Sequence, residues 1–180
     1  SLQQSSVAEL HAHGLVGVGA DRGSAFRLDF QNEMLLGRRD GVLAAVTPDL
    51  IAVLDLATGM LSLSTDVPEN DHISKTITHR LYDANESTKI AQYVLLGKGG
   101  AKLLDMMNFE REVYHLNEAH GLPAAFYLLK KFGGDMEKVK EKLVFTTHTP
   151  EEAGNEKHNI FMCHDMSYFS GLSIDEVKSI

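Results

Sequence analysis

The chain has 180 residues, 43% of them hydrophobic and 23% charged, a balance that excludes a disordered, collagenous or coiled-coil chain. Its 17 basic and 25 acidic side chains leave a formal charge of −8. The dense basic footprint of a duplex-binding protein is therefore missing, and nucleic acid is not expected as a partner. No apolar run approaches the ~18 residues of a membrane span, and SLQQSSVAEL lacks the basic start and apolar core of a signal peptide. Cys163 is the only cysteine, so no internal disulfide can form. With 9 histidines beside it, the composition points to a reducing, cytoplasmic setting. The length is about one domain's worth, enough to bury roughly 70% of the unfolded surface without covalent staples.

The first third reads as β-rich. Leu15-Val16-Gly17-Val18-Gly19 and Leu50-Ile51-Ala52-Val53-Leu54 are short apolar runs bounded by Gly, Asp or Pro, as in strands buried on both faces. Ala57-Thr58-Gly59 is a turn signal, and Met60-Leu61-Ser62-Leu63-Ser64 alternates behind it. A hairpin or adjacent strands are expected near 50–64. From about residue 70 the period changes: Ile73, Ile77 and Leu81 recur every fourth residue, as on one helical face. Ile90, Val94 and Leu95, then Leu103, Leu104 and Met107, carry a helical pattern across Gly97-Lys98-Gly99-Gly100. Glycine costs ~1 kcal/mol within a helix, so these three either break it or permit close packing.

Glu112 to Leu116 reads as a short strand and Ala124 to Lys131 as a helix ended by Phe132-Gly133-Gly134. Asp135 is placed to cap a further helix through Leu143, followed by a strand at Val144-Phe145-Thr146-Thr147. Thr149-Pro150-Glu151-Glu152 combines an N-cap threonine with proline at N1 and glutamate at N3, and Ser173-Ile174-Asp175-Glu176 repeats the capping-box pattern. Strand, helices, strand, helix from residue 110 onward implies an α/β sheet.

The glycine-rich segments do not carry a nucleotide site. A dinucleotide loop built on Gly17-Val18-Gly19 would need a third glycine where Arg22 stands, and Leu96-Gly97-Lys98-Gly99-Gly100 lacks the spacing and Ser/Thr of a phosphate loop. His115 and His120 are five apart, which fits neither a helical metal pair nor a zinc-finger arm. His158 and His164 have no partner at a recognisable spacing, so no metal is expected. Tyr114-His115-Leu116-Asn117-Glu118-Ala119-His120 is more informative: it leaves a strand and enters a helix with four hydrogen-bonding side chains. Ligands of open α/β sheets bind at the carboxyl ends of strands. The polar run suits a hydroxyl-rich ligand such as a sugar, or equally a network of satisfied loop contacts. Thr146-Thr147-His148-Thr149-Pro150 repeats the device, with His148 at the strand end beside a helix start whose dipole favours negative charge. Lys130, Lys131, Lys138, Lys140 and Lys142 read as a solvated helix face.

These residues resemble the α-glucan (glycogen, starch or maltodextrin) phosphorylases, especially the shorter bacterial and archaeal branch. Thr65 to Asn70 is similar to the family's TDxPEN, Ile77 to Tyr82 to ITxRLY, and Leu95 to Gly100 to LLGxGG. His115 to His120 resembles HxNEGH, and Val144 to Asn155 resembles VFTTHTPxxAGN. Five motifs in order cover about 60–166, whereas residues 20–59 match none of them. Ala119 stands where the short branch has glycine, Gly121-Leu122-Pro123 is additional, and Tyr93 replaces a usual glutamate.

The resemblance implies a partial Rossmann-like, three-layer domain of the GT-B type over 60–180; the segment over 1–59 is expected to be β-rich from its apolar runs alone. The resemblance further implies a parent enzyme that transfers the terminal α-1,4-linked glucosyl unit of a glucan to inorganic phosphate, giving glucose 1-phosphate. The parent would use pyridoxal 5'-phosphate, whose Schiff-base lysine is not among these residues. His148 corresponds to the histidine contacting the transferred glucosyl unit, its carbonyl facing the developing oxocarbenium charge. Asn117, Glu118 and His120 correspond to positions holding the glucan acceptor, and Asp83 and Asn85 fall in a loop gating the site. The expected partners are an α-1,4-glucan, inorganic phosphate, the remainder of the parent chain and a second copy. The isolated chain is expected to be inactive and to expose apolar surface toward the missing parts. The alternative is a stand-alone glucan-binding or regulatory module.

Overall fold

Antiparallel pairing organises the first third of the chain. In the computed structural model the backbone is described for the strands at 16–19, 27–30, 35–39, 42–46 and 51–55, and residues 61–180 are described apart from 82, 107–110, 149–150 and 152–154. The chain divides into two compact units, the first ending at Leu81 and the second running from Tyr82 to Ile180.

In the first unit, β1 (Val16–Gly19) pairs with β2 (Arg27–Phe30), Val16 opposite Phe30. A meander follows, formed by β3 (Leu35–Arg39), β4 (Val42–Val46), β5 (Ile51–Asp55) and β6 (Leu61–Ser64) in that spatial order. The pairing expected near 50–64 is the β5–β6 pair, with Ile51 opposite Ser64 and Leu54 opposite Leu61. The turn signal at Ala57-Thr58-Gly59 lies outside the described residues.

After β6 the chain folds back on itself. The Asn70 side-chain amide donates to the Thr65 carbonyl at 2.7 Å, and the Thr65 hydroxyl donates to the Ser74 carbonyl at 2.8 Å, with both residues buried. Asp71 caps α1 (His72–Thr76) by accepting from the Ile73 and Ser74 amides. The helical face expected from Ile73, Ile77 and Leu81 does not form. The Thr76 hydroxyl bonds the Ile73 carbonyl and the His79 amide bonds the Thr76 carbonyl, local bonding that competes with helix continuation. Ile77 is consequently 1% exposed, while Ile73 and Leu81 are 63% and 82% exposed.

In the second unit, α2 (Glu86–Val94) passes through a π-helical turn, Leu95–Gly99, into α3 (Gly100–Met106). The glycines therefore do not end the helix, and Met107 lies outside the described residues. Close approach explains Gly97: a Cβ there would lie 2.6 Å from the Gly121 carbonyl oxygen and 2.8 Å from the Ala124 nitrogen. Strand β7 (Tyr114–Asn117) leads through a 3-10 turn, Ala119–Gly121, into α4 (Pro123–Lys131). Gly133 and Gly134, at φ 65 and 88, end α4 in left-handed backbone. Asp135 caps α5 (Met136–Lys142), and β8 (Leu143–Thr146) returns parallel to β7. The helix start at Thr149-Pro150 falls outside the described residues. α6 (Ile160–Asp165) and α7 (Ile174–Ser179) complete the unit, the latter with the expected Ser173–Glu176 capping box.

The second unit is thus a mixed α/β body with a small parallel sheet. Leu116 of β7 packs on Ala101 and Ala124, and Leu128 and Leu129 of α4 pack on Val139 of α5. The sheet is not covered as parallel strands ordinarily are: Val144 and Phe145 of β8 are 47% and 55% exposed, and adjacent strand residues point to opposite faces.

Two of the three helical glycines, Gly97 and Gly100, should respond oppositely to alanine. Gly97→Ala drives a methyl into backbone atoms of a neighbouring segment and should destabilise by about 1–3 kcal/mol. Gly100 has helical φ −60 and ψ −49, and nothing lies within 4 Å of an added Cβ. Gly100→Ala should stabilise by about 0.5–1 kcal/mol. Urea denaturation of the two variants beside the unsubstituted chain measures both signs.

Candidate functional site

The parallel register of β7 and β8 sets the site. Tyr114 lies opposite Leu143 and Asn117 opposite Thr146, so the residues leaving both strands emerge at the same, carboxyl end. The Glu118 amide extends the pairing by donating to the Thr146 carbonyl at 2.8 Å. Glu118 itself has φ 58 and ψ −171, a conformation that costs a non-glycine residue of order 1–3 kcal/mol. Its side chain turns toward the second strand. One carboxylate oxygen accepts from the Thr147 hydroxyl at 3.1 Å, and the other accepts a short hydrogen bond from the His148 amide.

From the other side, His148 Nε2 donates to Asn117 Oδ1 at 2.7 Å. Lower on the pair, His115 Nε2 and the Thr146 hydroxyl are 2.7 Å apart. Three of the expected site residues, Asn117, Glu118 and His148, therefore form one cluster joining the two strand ends. The other three are engaged elsewhere. The His120 ring packs on Tyr93 of α2, with centroids 5.0 Å apart. Asp83 accepts from the Asn85 amide at 2.8 Å, and Asn85 caps α2 by accepting from Thr88. Chemically, the strand-end cluster offers a carboxylate, an imidazole, an amide and a hydroxyl within one hydrogen-bonded patch, which matches the needs of a polyhydroxyl ligand.

A second polar cluster was not legible as a site in the sequence. Tyr93 donates a short hydrogen bond from its hydroxyl to Glu156, and Lys89 pairs with the same carboxylate at 2.6 Å. The Tyr93 ring also meets His158 edge-on at 5.8 Å. His158 lies 3.3 Å from Glu156 and 3.5 Å from Glu86. Glu86, Lys89 and Tyr93 are spaced i, i+3, i+7 along α2, which puts them on one helical face; that spacing was the available signal, whereas the return of residues 156–158 to it was not. Burial alone would raise the Glu156 pKa, but the hydrogen bonds from Lys89 and Tyr93 together hold it below its ordinary value. The buried Cys163 thiol is pushed up to about 11, first by burial and then by Glu86, so it is a poor nucleophile at neutral pH. Among the described residues no group of three or more His, Cys, Asp or Glu side chains could hold a metal ion, and no helix is long and apolar enough to cross a membrane.

Comparison with known proteins divides along the chain. The family described as S-Me-THD-like, C-terminal domain, matches residues 5–74. Maltodextrin phosphorylase of Thermococcus litoralis is 39% identical over 130 residues, 66% of this chain and 15% of that protein. Glycogen phosphorylase of Mycobacterium tuberculosis is 33% identical over 116 residues, 57% of this chain and 13% of that protein. The chain is related to the α-glucan phosphorylases. An uncharacterized protein of Methanocaldococcus jannaschii is 44% identical over 112 residues, 62% of this chain and 21% of that protein. The chain thus spans about a fifth or less of the length of these relatives. No solved structure matches it.

The Lys89–Glu156 pair yields a pH-dependent expectation. A carboxylate whose folded pKa is lowered contributes stability above its unfolded pKa, near ~4.3, and loses it as pH falls through the folded value. Lys89→Ala should therefore cost about 0.2–1 kcal/mol near pH 7, the partial exposure of both side chains keeping the figure small. The difference from the unsubstituted chain should shrink toward pH 3. Denaturation midpoints of both proteins at the two pH values give the comparison.

Proposed function

We propose that residues 60–180 are part of the N-terminal, Rossmann-like half of an α-glucan phosphorylase of the GT-B type. The observation that carries this reading is the strand-end cluster of Asn117, Glu118 and His148, which lies within the motifs that resemble the family. In this reading the parent transfers the terminal α-1,4-linked glucosyl unit of a glucan to inorganic phosphate and releases glucose 1-phosphate. His148 contacts the transferred unit, its carbonyl stabilising developing positive charge in the transition state. Asn117, Glu118 and His120 hold the acceptor end of the glucan, and Asp83 with Asn85 begins a loop at the mouth of the site. The exposed Val144 and Phe145 on β8 support a sheet whose faces are covered by further chain.

The described residues fit the sugar side of such a site. The Lys138 and Lys140 side chains pair with Asp135 and Glu137, three residues away at the exposed start of α5, which supports reading them as surface residues and not as the Schiff-base lysine. Pyridoxal 5'-phosphate, which would supply an acidic phosphate to the reaction, is therefore assigned to the parent's other half. A cytoplasmic setting and a homodimer belong to the same proposal.

A second reading, a non-catalytic glucan-binding or regulatory module, draws support from one observation. The match of residues 5–74 is to a domain of another description, so the phosphorylase-like segment has a neighbour that the phosphorylase reading does not require.

The two readings share sugar binding and differ in the parent. The isolated chain should bind maltoheptaose and release no glucose 1-phosphate from glycogen and phosphate. Measurable release by the isolated chain would overturn the half-site reading, and absence of any maltoheptaose binding in calorimetry would overturn both. In a full-length parent, His148→Ala should lower turnover far more than cofactor content. Equal loss of the two would make His148 structural.

A further inference from the structure

We propose that Glu118 is a positioning residue that acts through His148, locking its backbone while Asn117 locks its ring. This rests on the phosphorylase reading of the site and assigns the Glu118 carboxylate a task beyond holding the acceptor. Three independent features point the same way. The first is backbone strain: Glu118 holds φ 58 and ψ −171 immediately after β7, a region sparsely populated by residues with a Cβ and retained mainly where surroundings over-determine it. The second is direction. In this conformation the carboxylate reaches across the strand pair and takes the Thr147 hydroxyl on one oxygen and the His148 amide on the other. The third is the ring contact. Asn117 Oδ1 can only accept, so the bond at 2.7 Å makes His148 Nε2 the donor.

The consequence is chemical as well as geometric. A neutral imidazole whose Nε2 carries the proton has its lone pair at Nδ1. His148 is thereby set as a hydrogen-bond acceptor for a donor hydroxyl of the sugar. The Glu118 carboxylate holds the peptide unit that ends in the His148 amide, while Asn117 holds the ring, so the residue is fixed at two points. Charge-assisted bonds of the kind Glu118 makes are among the stronger ones available to a backbone amide. A carboxylate acting only on an acceptor sugar would require neither the left-handed backbone nor a contact to the His148 amide.

The test uses the 180-residue chain and nitrogen–proton NMR of His148, with Glu118→Gln, Glu118→Gly and Asn117→Ala variants. In the unsubstituted protein the His148 amide should resonate far downfield and exchange slowly, and the neutral ring should be in its Nε2–H form. Glycine adopts φ 58 freely, so Glu118→Gly should remain folded while the His148 amide moves upfield. Its exchange should quicken roughly ten- to hundred-fold, the range of one charge-assisted hydrogen bond. Glu118→Gln, which keeps one acceptor oxygen, should restore part of the protection and serves as the readout if the glycine variant fails to fold. Asn117→Ala should leave the amide in place and mix the ring tautomers.

An unchanged His148 amide in both Glu118 variants overturns the proposal. So does a ring tautomer indifferent to Asn117. Binding of maltoheptaose is read separately. Its absence with the expected His148 changes sinks the glucan reading and leaves the positioning role, whereas normal binding with an indifferent His148 does the reverse.

Discussion

Four residue pairs between β7 and β8 hold the candidate site together. A parallel ladder fixes both position along the strands and direction of exit, so pairing Asn117 with Thr146 forces Glu118 and Thr147 to leave side by side. Everything polar at the site hangs on that level alignment. A one-residue slip would point Asn117 to the other face, since side chains alternate along a strand. Leu116, buried against Ala101 and Ala124, opposes such a slip because it would bring that apolar side chain out of the core. The site's accuracy is therefore anchored by one leucine on the face opposite its polar neighbours.

A second constraint comes from the passage of α2 into α3 over the turn that follows β7. Gly97 lets the helix backbone approach Gly121 and Ala124 closely enough to exclude any side chain. The π-helical turn sits at this contact, where one widened turn adjusts the helix without ending it. That approach also brings the Tyr93 ring against His120. Through Glu156, Tyr93 is tied in turn to Lys89 and to the segment leading into α6. His120 thus rests on an aromatic ring whose hydroxyl is tied to an ion pair. In the sequence, Tyr93 was visible only as a departure from the family's glutamate.

Short-range signals were the legible part of this chain. The Asp135 cap, the glycine stop after α4 and the Ser173 capping box were all readable because each depends on residues within one helical turn. The strand ends carrying Asn117 and His148 were readable from apolar runs that stop at polar clusters. The period of Ile73, Ile77 and Leu81 says nothing about where a helix stops, and α1 ends at Thr76, which turns its hydroxyl to the Ile73 carbonyl. Residues 20–59 match none of the family's motifs, and the antiparallel pairing of β3, β4 and β5 within them carries no chemistry that a motif could mark. The clamp of Glu118 on His148 could not be read at all. It spans thirty positions and requires a backbone conformation that glutamate rarely adopts.

The two relationships along the chain change the weight of the motifs. Thr65-Asp66-Val67-Pro68-Glu69-Asn70 resembles a phosphorylase segment, but it also lies inside the match of residues 5–74 to the S-Me-THD-like domain. In the structure it belongs to the first unit and closes a tight turn, its buried Thr65 and Asn70 bonding to the Ser74 and Thr65 carbonyls. Turn closure accounts for those residue types without any ligand. The motifs at His115 to His120 and at Val144 onward have no such local explanation. There the side chains bond across two strands, the backbone is strained at Glu118, and the polar groups gather where α/β sheets bind ligands. The functional reading of this chain therefore rests on the second unit, and on the pair of strand ends within it.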